Sequence, residues 1–384
     1  MATKKNARGP SSRPRGKAPG RPRSKPSRPS EGERRRARAA QKTSTTKDPR
    51  KESGPDAAAP RDAPRRRRTK EIAPTRAGVG TVALVGRPNV GKSSLVNALV
   101  GQKIAPTTHK PQTTRRAIRG VFTRGSAQLV FVDTPGVVTP RHGLDRFMLE
   151  EAREAARTVD VVALVVEARA ARPGAPPIDA ADLAALDALF AAGDVGVPLV
   201  LVVNKIDRLE DKGALLPLLA AYSEARAFEA LVPVSATTKD GLTALADALL
   251  TLMPEGELLF PDDAITDASE RDIAADIIRE KAMLELDEEV PHRLAVQIEL
   301  FDESRREDPR KPVIHIAAVL HVERESQKGI VVGKGGERIK AIGTRARKDL
   351  ERLTGAKVML ELFVRTEPMW TESDKALKKL GYTR

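Results

Sequence analysis

Apolar positions in this chain fall into short continuous runs separated by polar and glycine-rich stretches. Thr81–Val85, Gln128–Val132, Val159–Val166, Pro198–Val203 and Ala230–Val234 are such runs. Runs of that length, bounded by turn residues, predict strands buried on both faces. Asp179–Phe190 and Leu242–Leu252 instead space their apolar residues as helices do. Strands alternating with helices predict an α/β fold over residues 78–253: a mostly parallel sheet with helices on both faces. The pattern then changes. Ile273, Ile277, Ile278 and Leu284 predict a helix within Ile265–Leu286. Arg293–Phe301 and Pro312–Val322 read as strands joined by the polar loop Asp302–Lys311. Ile330–Val332, a glycine turn, a helix Glu337–Leu353 and a last strand Ala356–Val364 follow. This is an α+β pattern, so a second domain is expected at 268–384, joined to the first by a linker at 254–267. No run of about 18 apolar residues occurs, which predicts no membrane-spanning helix.

Charge changes the picture at the N-terminal end. The 384 residues carry 67 Lys+Arg against 52 Asp+Glu, a net charge of +15. Residues 1–75 hold 24 Lys+Arg against 7 Asp+Glu, so the basic excess belongs to this segment and the body is near neutral. Its only large aliphatic or aromatic residue is Ile72. Such a segment cannot offset its ordering entropy by burial, so residues 1–77 are expected to be a disordered basic tail. It suits either solubilisation or sequence-blind contact with RNA phosphates, with anionic lipid a third option. Cysteine is absent, which excludes disulfides, Cys-ligated metal and thiol catalysis.

Candidate chemistry sits where strands end. Gly86-Arg87-Pro88-Asn89-Val90-Gly91-Lys92-Ser93 follows the first strand and fits G-x-x-x-x-G-K-[ST], the P-loop pattern. Its glycines let backbone N–H groups curl around phosphates, and the following helix, with Ser94 in its first turn, adds the positive end of its dipole. Lys92 is suited to the β/γ-phosphates and the Ser93 hydroxyl to Mg²⁺. Asp133-Thr134-Pro135-Gly136 closes the second run. Its carboxylate can hold Mg²⁺ through water, and the Gly136 N–H can meet the γ-phosphate. Asn204-Lys205-Ile206-Asp207 closes Pro198–Val203. The Asp207 carboxylate can accept from N1–H and N2–H₂ of guanine, a donor pair that adenine lacks. Lys205 would lie along the ring, and Asn204 would tie the loop together. Ser235-Ala236 closes Ala230–Val234, where a backbone N–H can meet guanine O6. Each motif alone is weak, since Asp or Asn after a strand is usually a turn. Four in order, each at a strand end, point to GTP.

These residues, with Lys110-Pro111-Gln112-Thr113-Thr114-Arg115, resemble the bacterial Era GTPases, and the resemblance runs to near Arg384. It implies that Lys110–Arg115 is the first switch, with Thr114 as an Mg²⁺ ligand and Thr113 as the competing candidate. It makes Lys92, Thr114 and Gly136 the expected catalytic groups. It also implies a GTP switch that matures or assembles the small ribosomal subunit through 16S rRNA, acting as a monomer in the cytoplasm, with peripheral contact to the inner membrane face. Val137 stands where many GTPases place a water-orienting Gln, so slow intrinsic turnover is expected. Asn89 resembles the position that holds K⁺ in cation-dependent relatives, or it simply caps the turn.

Gly333-Lys334-Gly335-Gly336 is a G-x-x-G loop. In KH domains that loop clamps a single-stranded backbone of about four nucleotides. Alone it is weak. The surrounding element order resembles the type II KH fold, and residues 328–365 carry 10 Lys+Arg against 4 Asp+Glu. Two rival readings remain. A tRNA-modifying GTPase would carry a C-terminal Cys, which this chain lacks. An RNA-binding module with a non-hydrolysing nucleotide domain fits poorly with an intact Lys92, Ser93, Asp133 and Asp207.

Overall fold

A computed structural model describes residues 77–169, 178–190 and 196–382. The tail assigned to residues 1–77 therefore lies, but for its last residue, outside the described residues. The first sheet has six strands: β1 Val79–Val85, β2 Ile118–Arg124, β3 Ala127–Asp133, β4 Val161–Glu167, β5 Leu199–Asn204 and β6 Ala230–Pro233. Their spatial order is β2-β3-β1-β4-β5-β6. Only β2 runs antiparallel; it is hairpinned to β3, and the other neighbours pair in parallel. The mostly parallel sheet expected from the apolar runs is therefore present.

Residue alternation along the strands explains how both faces are covered. Val82 and Leu84 point to one side, against Leu95 and Val96 of α1 (Lys92–Val100). Leu245 and Leu249 of a later helix, Leu242–Leu250, complete that side. Ala83 and Val85 point to the other side. There they meet Ala152 and Ala156 of α2 (Gly143–Arg157), Leu186 of α3 (Ala180–Asp187) and Leu218 of α4 (Leu215–Ala225). The Leu242–Leu250 helix is α5.

The second sheet orders β7 (Ala295–Arg305), β8 (Val313–Val322) and β9 (Lys357–Thr366), with β7–β8 antiparallel and β8–β9 parallel. Helices α6 (Glu270–Glu285), α7 (Glu325–Val332) and α8 (Glu337–Thr354) contribute Ile277, Val331 and Leu350 to its core. The chain order α6-β7-β8-α7-α8-β9 is that of a type II KH domain. A short helix, α9 (Asp374–Lys379), ends the described chain. Trp370, Leu377 and Tyr382 around it pack on Leu144 and Met148 of α2, closing a small core between the two sheets' domains.

The linker is tied to the first sheet. Val79 N donates to Pro254 O (2.9 Å), and Val121 N donates to Ile265 O (2.9 Å). Gln128, fully buried in β3, is its anchor. Its Oε1 accepts from Leu259 N (2.9 Å) and Phe260 N (3.0 Å), and its Nε2 donates to Phe260 O (3.0 Å). Gln128→Leu should cost about 1–3 kcal/mol, the range for buried polar partners left unmatched. Chemical denaturation measures the loss. Faster proteolysis near Phe260 should accompany it, and unchanged cleavage would mean that the linker holds without this side chain.

Candidate nucleotide and metal site

The four strand-end motifs meet in one cavity of about 800 Å³. Its lining includes Pro88, Asn89, Gly91, Lys92, Ser93 and Ser94 from the P-loop and α1, and Thr134 and Gly136 after β3. Asn204, Lys205, Asp207 and Ala236 line the opposite end. Gly86, Arg87, Val90, Asp133, Pro135 and Ser235 stand behind this lining. Gly91 has φ +101°, and a Cβ there would strike the Asn204 amide. Gly136 has a different constraint: a Cβ would stand 2.8 Å from Pro88 Cα. Two loops thus approach each other as closely as glycine permits.

At the phosphate end, Lys92 Nζ donates to Gly86 O and Arg87 O, both at 3.0 Å. Burial pulls its ammonium down to about 8, with Asp133 opposing the shift. Arg87 leaves the cavity and bonds Asp182 Oδ1 of α3 (2.5 Å), whose Oδ2 accepts from Tyr222 (2.8 Å). That pairing braces the P-loop from behind and has no signature in the local sequence.

Three oxygen donors converge beside Lys92. Ser93 Oγ lies 2.6 Å from Asp133 Oδ2 and 2.8 Å from Thr114 Oγ1, and Thr114 Oγ1 lies 3.1 Å from the same carboxylate oxygen. The Thr113 hydroxyl is elsewhere, donating to Lys110 O (2.8 Å) within its own loop. Asp133 Oδ1 is buried and has no hydrogen-bond partner. A carboxylate with a spare buried oxygen next to two hydroxyls suits a hard cation such as Mg²⁺. Burial pushes the Asp133 carboxyl up to about 6, against the pull of the Ser93 hydroxyl, Lys92 and Thr114.

At the other end, Asn204 Nδ2 donates to Val90 O (2.9 Å) and its Oδ1 accepts from Ala236 N (3.2 Å). One amide thereby joins the P-loop to the last loop. Ser235 Oγ donates to Asp207 Oδ1 (2.6 Å), which fixes that carboxylate at the cavity wall. Lys205 Nζ bonds Asn89 O (2.5 Å) and pairs with Glu167 (2.9 Å), so its stem crosses the cavity mouth. Asn89, at φ +65°, gives its amide N–H to His109 O (2.9 Å), linking the P-loop to the loop before β2. Gln112 of the expected first switch also lines the cavity, as do Glu167 and His109, which were not singled out from the sequence. Val137 points into the apolar core with Ala83 and Val85, and its N–H donates to Gly86 O (3.1 Å).

The Gly333–Gly336 loop lies in the second domain, between α7 and α8. Gly333, Gly335 and Gly336 all have positive φ, and Lys334 and Gly335 are exposed. The turn presents its backbone at the N-terminus of an 18-residue helix, an arrangement suited to phosphate.

A doubly covered α/β sheet with this cavity, joined to a KH fold, defines a P-loop GTPase carrying an RNA-binding domain. The family model described as 50S ribosome-binding GTPase matches residues 81–205, and the KH domain model matches residues 289–371. GTPase Era of Xanthomonas axonopodis pv. citri is 47% identical over 304 residues, 79% of this chain and 96% of its own. A tyrosine-to-alanine variant of Aquifex aeolicus Era bound to GDP.AlF4- superposes with a TM-score of 0.72 at 36% identity, covering 80% of this chain and all of that one. Era in complex with MgGDPNP and nucleotides 1506–1542 of 16S ribosomal RNA gives 0.73 at 36% identity, covering 80% of this chain and 99% of that one. The chain belongs to the GTPase Era family.

The raised Asp133 carboxyl sets a pH dependence. A carboxyl that is harder to ionise in the folded protein costs stability once ionised. In nucleotide-free protein its contribution is therefore present at low pH and lost as pH rises from 3.8 towards about 6. A cation reverses the preference, so Mg²⁺ binding with GDP should release a proton below about pH 6. Mg²⁺ affinity should then fall by up to about tenfold per pH unit below that point and level off above pH 7. Calorimetry in buffers of different ionisation heat reads the proton. Asp133→Asn should weaken binding and cut the release to the part given up by the terminal phosphate of GDP, which also titrates at about pH 6; a release equal to that of the wild type would move the titration to another group.

Proposed function

We propose that this protein is a GTP-hydrolysing switch that binds 16S rRNA through its KH domain and assists assembly and maturation of the small ribosomal subunit. The observation that carries the reading is the two-ended cavity. One end gathers Lys92, Ser93, Thr114 and Asp133 for phosphates and a cation; the other fixes Asp207 through Ser235 for guanine. The proposed domain limits are 78–253 and 268–384.

In this reading the phosphates lie on the backbone N–H groups of Gly86–Ser93, with the Lys92 ammonium moving from the P-loop carbonyls to the β/γ-oxygens. Ser93 and Thr114 are the proposed protein ligands of Mg²⁺, with Asp133 holding it directly or through water. Magnesium, when bound, neutralises charge on the transferring phosphoryl group. The Gly136 N–H meets the γ-phosphate. Phosphoryl transfer needs positioning and charge stabilisation more than a strong base. With Val137 in the core, the free protein turns over slowly, on the order of 10⁻⁴–10⁻² s⁻¹. The Asn89 amide oxygen, free of the His109 contact, is the group proposed for K⁺.

The RNA part rests on the exposed Lys334 and Gly335 ahead of α8, and on the solved Era complex with nucleotides 1506–1542 of 16S rRNA. Among the described residues no helix is long and apolar enough to cross a membrane. The proposed place of action is the cytoplasm, where ribosomal subunits mature, with peripheral contact to the inner membrane face included in the proposal.

Asp207→Asn tests base selection. It trades a double acceptor for one acceptor and one donor, so GTP affinity should fall by about 2–4 kcal/mol. Xanthosine triphosphate, with a carbonyl where guanine has its amino group, should bind the variant better than GTP. Wild-type GTP affinity in the variant would refute the assignment. The RNA contact is tested by Lys334→Asp with Gly335→Asp. A Cβ at Gly335 meets nothing within 4 Å, and Asp tolerates its φ of +61°. Folding and GTP binding should survive while binding of an oligonucleotide of 16S rRNA nucleotides 1506–1542 is lost. Retained RNA binding would place the contact elsewhere.

A further inference from the structure

Arg115 follows Thr114 directly, yet the two side chains serve different domains. Thr114 Oγ1 sits with Ser93 and Asp133. The Arg115 guanidinium, 1% exposed, enters the second domain. Its Nη1 donates to Leu294 O (2.7 Å) and its Nη2 to His292 O (2.8 Å), with Pro291 O at 3.5 Å. The guanidinium carbon stands 5.6 Å from the Trp370 ring centre and 5.8 Å from that of Tyr382. Those rings stack on each other at 5.6 Å, and Trp370 Nε1 donates to Arg293 O (3.0 Å). The seat is therefore built from one carbonyl-rich turn and two aromatic rings.

This seat differs from an ordinary interdomain salt bridge. A buried charge is expensive unless it is fully paired. Carbonyl oxygens and ring faces, all of the other domain, compensate it in part; the buried Nε has no hydrogen-bond partner, and burial pulls the guanidinium pKa down. The fork of the guanidinium is needed, because one group must reach two carbonyl oxygens at once. Nearby ties follow the same path. Lys110 Nζ donates to Leu286 O, and Thr107 N donates to Glu280 Oε2 (2.9 Å). Leu144 N at the start of α2 donates to Thr371 O (2.9 Å), next to Trp370. Consecutive Cα atoms are only about 3.8 Å apart, so a shift of the Arg115 seat must be felt at Thr114.

We propose that Arg115 is the positioning residue through which the second domain sets the Thr114 hydroxyl at the cation end of the nucleotide site. Seating of the guanidinium in the Pro291–Leu294 turn and placement of the hydroxyl beside Ser93 and Asp133 form one equilibrium. A partner that moves that turn changes how well the site holds its cation. The inference rests on the reading of Thr114 as a metal ligand, and the experiment separates the two.

Trp370 is the only tryptophan in the chain, so its fluorescence reports on the seat alone. Mg²⁺ is titrated into the full-length protein with a non-hydrolysable GTP analogue, following Trp370 emission and, separately, analogue binding. Wild type should show an emission change that saturates with Mg²⁺. Arg115→Met keeps the apolar stem and loses the fork. Its Mg²⁺ midpoint should rise by about tenfold, as when a supporting group behind a metal ligand is removed, and the emission change should vanish. Metal-free GDP affinity should stay within about twofold, because Arg115 touches no part of the cavity wall assigned to the base or phosphates. Arg115→Lys, which keeps the charge and reaches one carbonyl, should fall between and also serves if the Met variant unfolds. Thr114→Ala is the control: an unchanged Mg²⁺ midpoint there refutes Thr114 as a ligand. If Thr114→Ala shifts the midpoint and the Arg115 variants do not, the positioning role falls. A wild-type Trp370 signal blind to Mg²⁺ overturns it as well.

Discussion

Parallel pairing of β1 with β3 sets Leu84 opposite Asp133, and the whole site depends on that register. It brings the loop after β1 and the loop after β3 to the same edge of the sheet. Ser93 can then reach the Asp133 carboxylate (2.6 Å), and Gly136 can press on Pro88. A slip of one residue would turn Asp133 to the other face of the sheet, because side chains alternate along a strand. Register holds because both faces are committed: Leu84 and Phe131 fill one core, Val85 and Val132 the other.

The second domain is fastened to the loop before β2, which borders the nucleotide cavity, and to helix α2. The loop before β2 reaches it through Lys103, which pairs with Glu280 (2.7 Å), and through Arg115. Helix α2 reaches it through Leu144 and Met148, which share a core with Trp370 and Tyr382. Contacts on a loop that borders a ligand site give two sites a route to linkage when they differ between two states.

Legibility in the sequence followed the range of the interaction. The P-loop, Asp133–Gly136 and Asn204–Asp207 were readable because each couples a short apolar run to a turn whose chemistry is local. The order of elements in the second domain was readable for the same reason. Boundaries differ slightly: the run Val159–Val166 predicts a strand, and β4 lies at Val161–Glu167. Thr113 and Thr114 share one motif and differ only in space: the Thr114 hydroxyl lies beside Ser93 and Asp133, the Thr113 hydroxyl within its own loop. Gln128 read as one more residue of a strand, because its partners Leu259 and Phe260 lie 131 and 132 residues away. The Arg115 seat was hidden for the same reason: it draws on Leu294, Trp370 and Tyr382, which no local pattern connects. Arg87 reads as part of the nucleotide-binding P-loop, but its side chain pairs with Asp182, 95 residues away in the chain.

The direction of Val137 also bears on how this site can evolve. Its side chain is packed among Ala83, Val85 and Ala156, on the side of the backbone away from the cavity. Replacing it by Gln would not carry an amide to the phosphates; it would bury one in hydrocarbon, at a cost of about 1–3 kcal/mol. The faster enzyme is therefore not one codon away. A lineage built on this loop can bring a water-orienting amide to the cavity from position 137 only by reshaping the backbone after Gly136, which keeps that route to faster hydrolysis outside the reach of single mutations at this position.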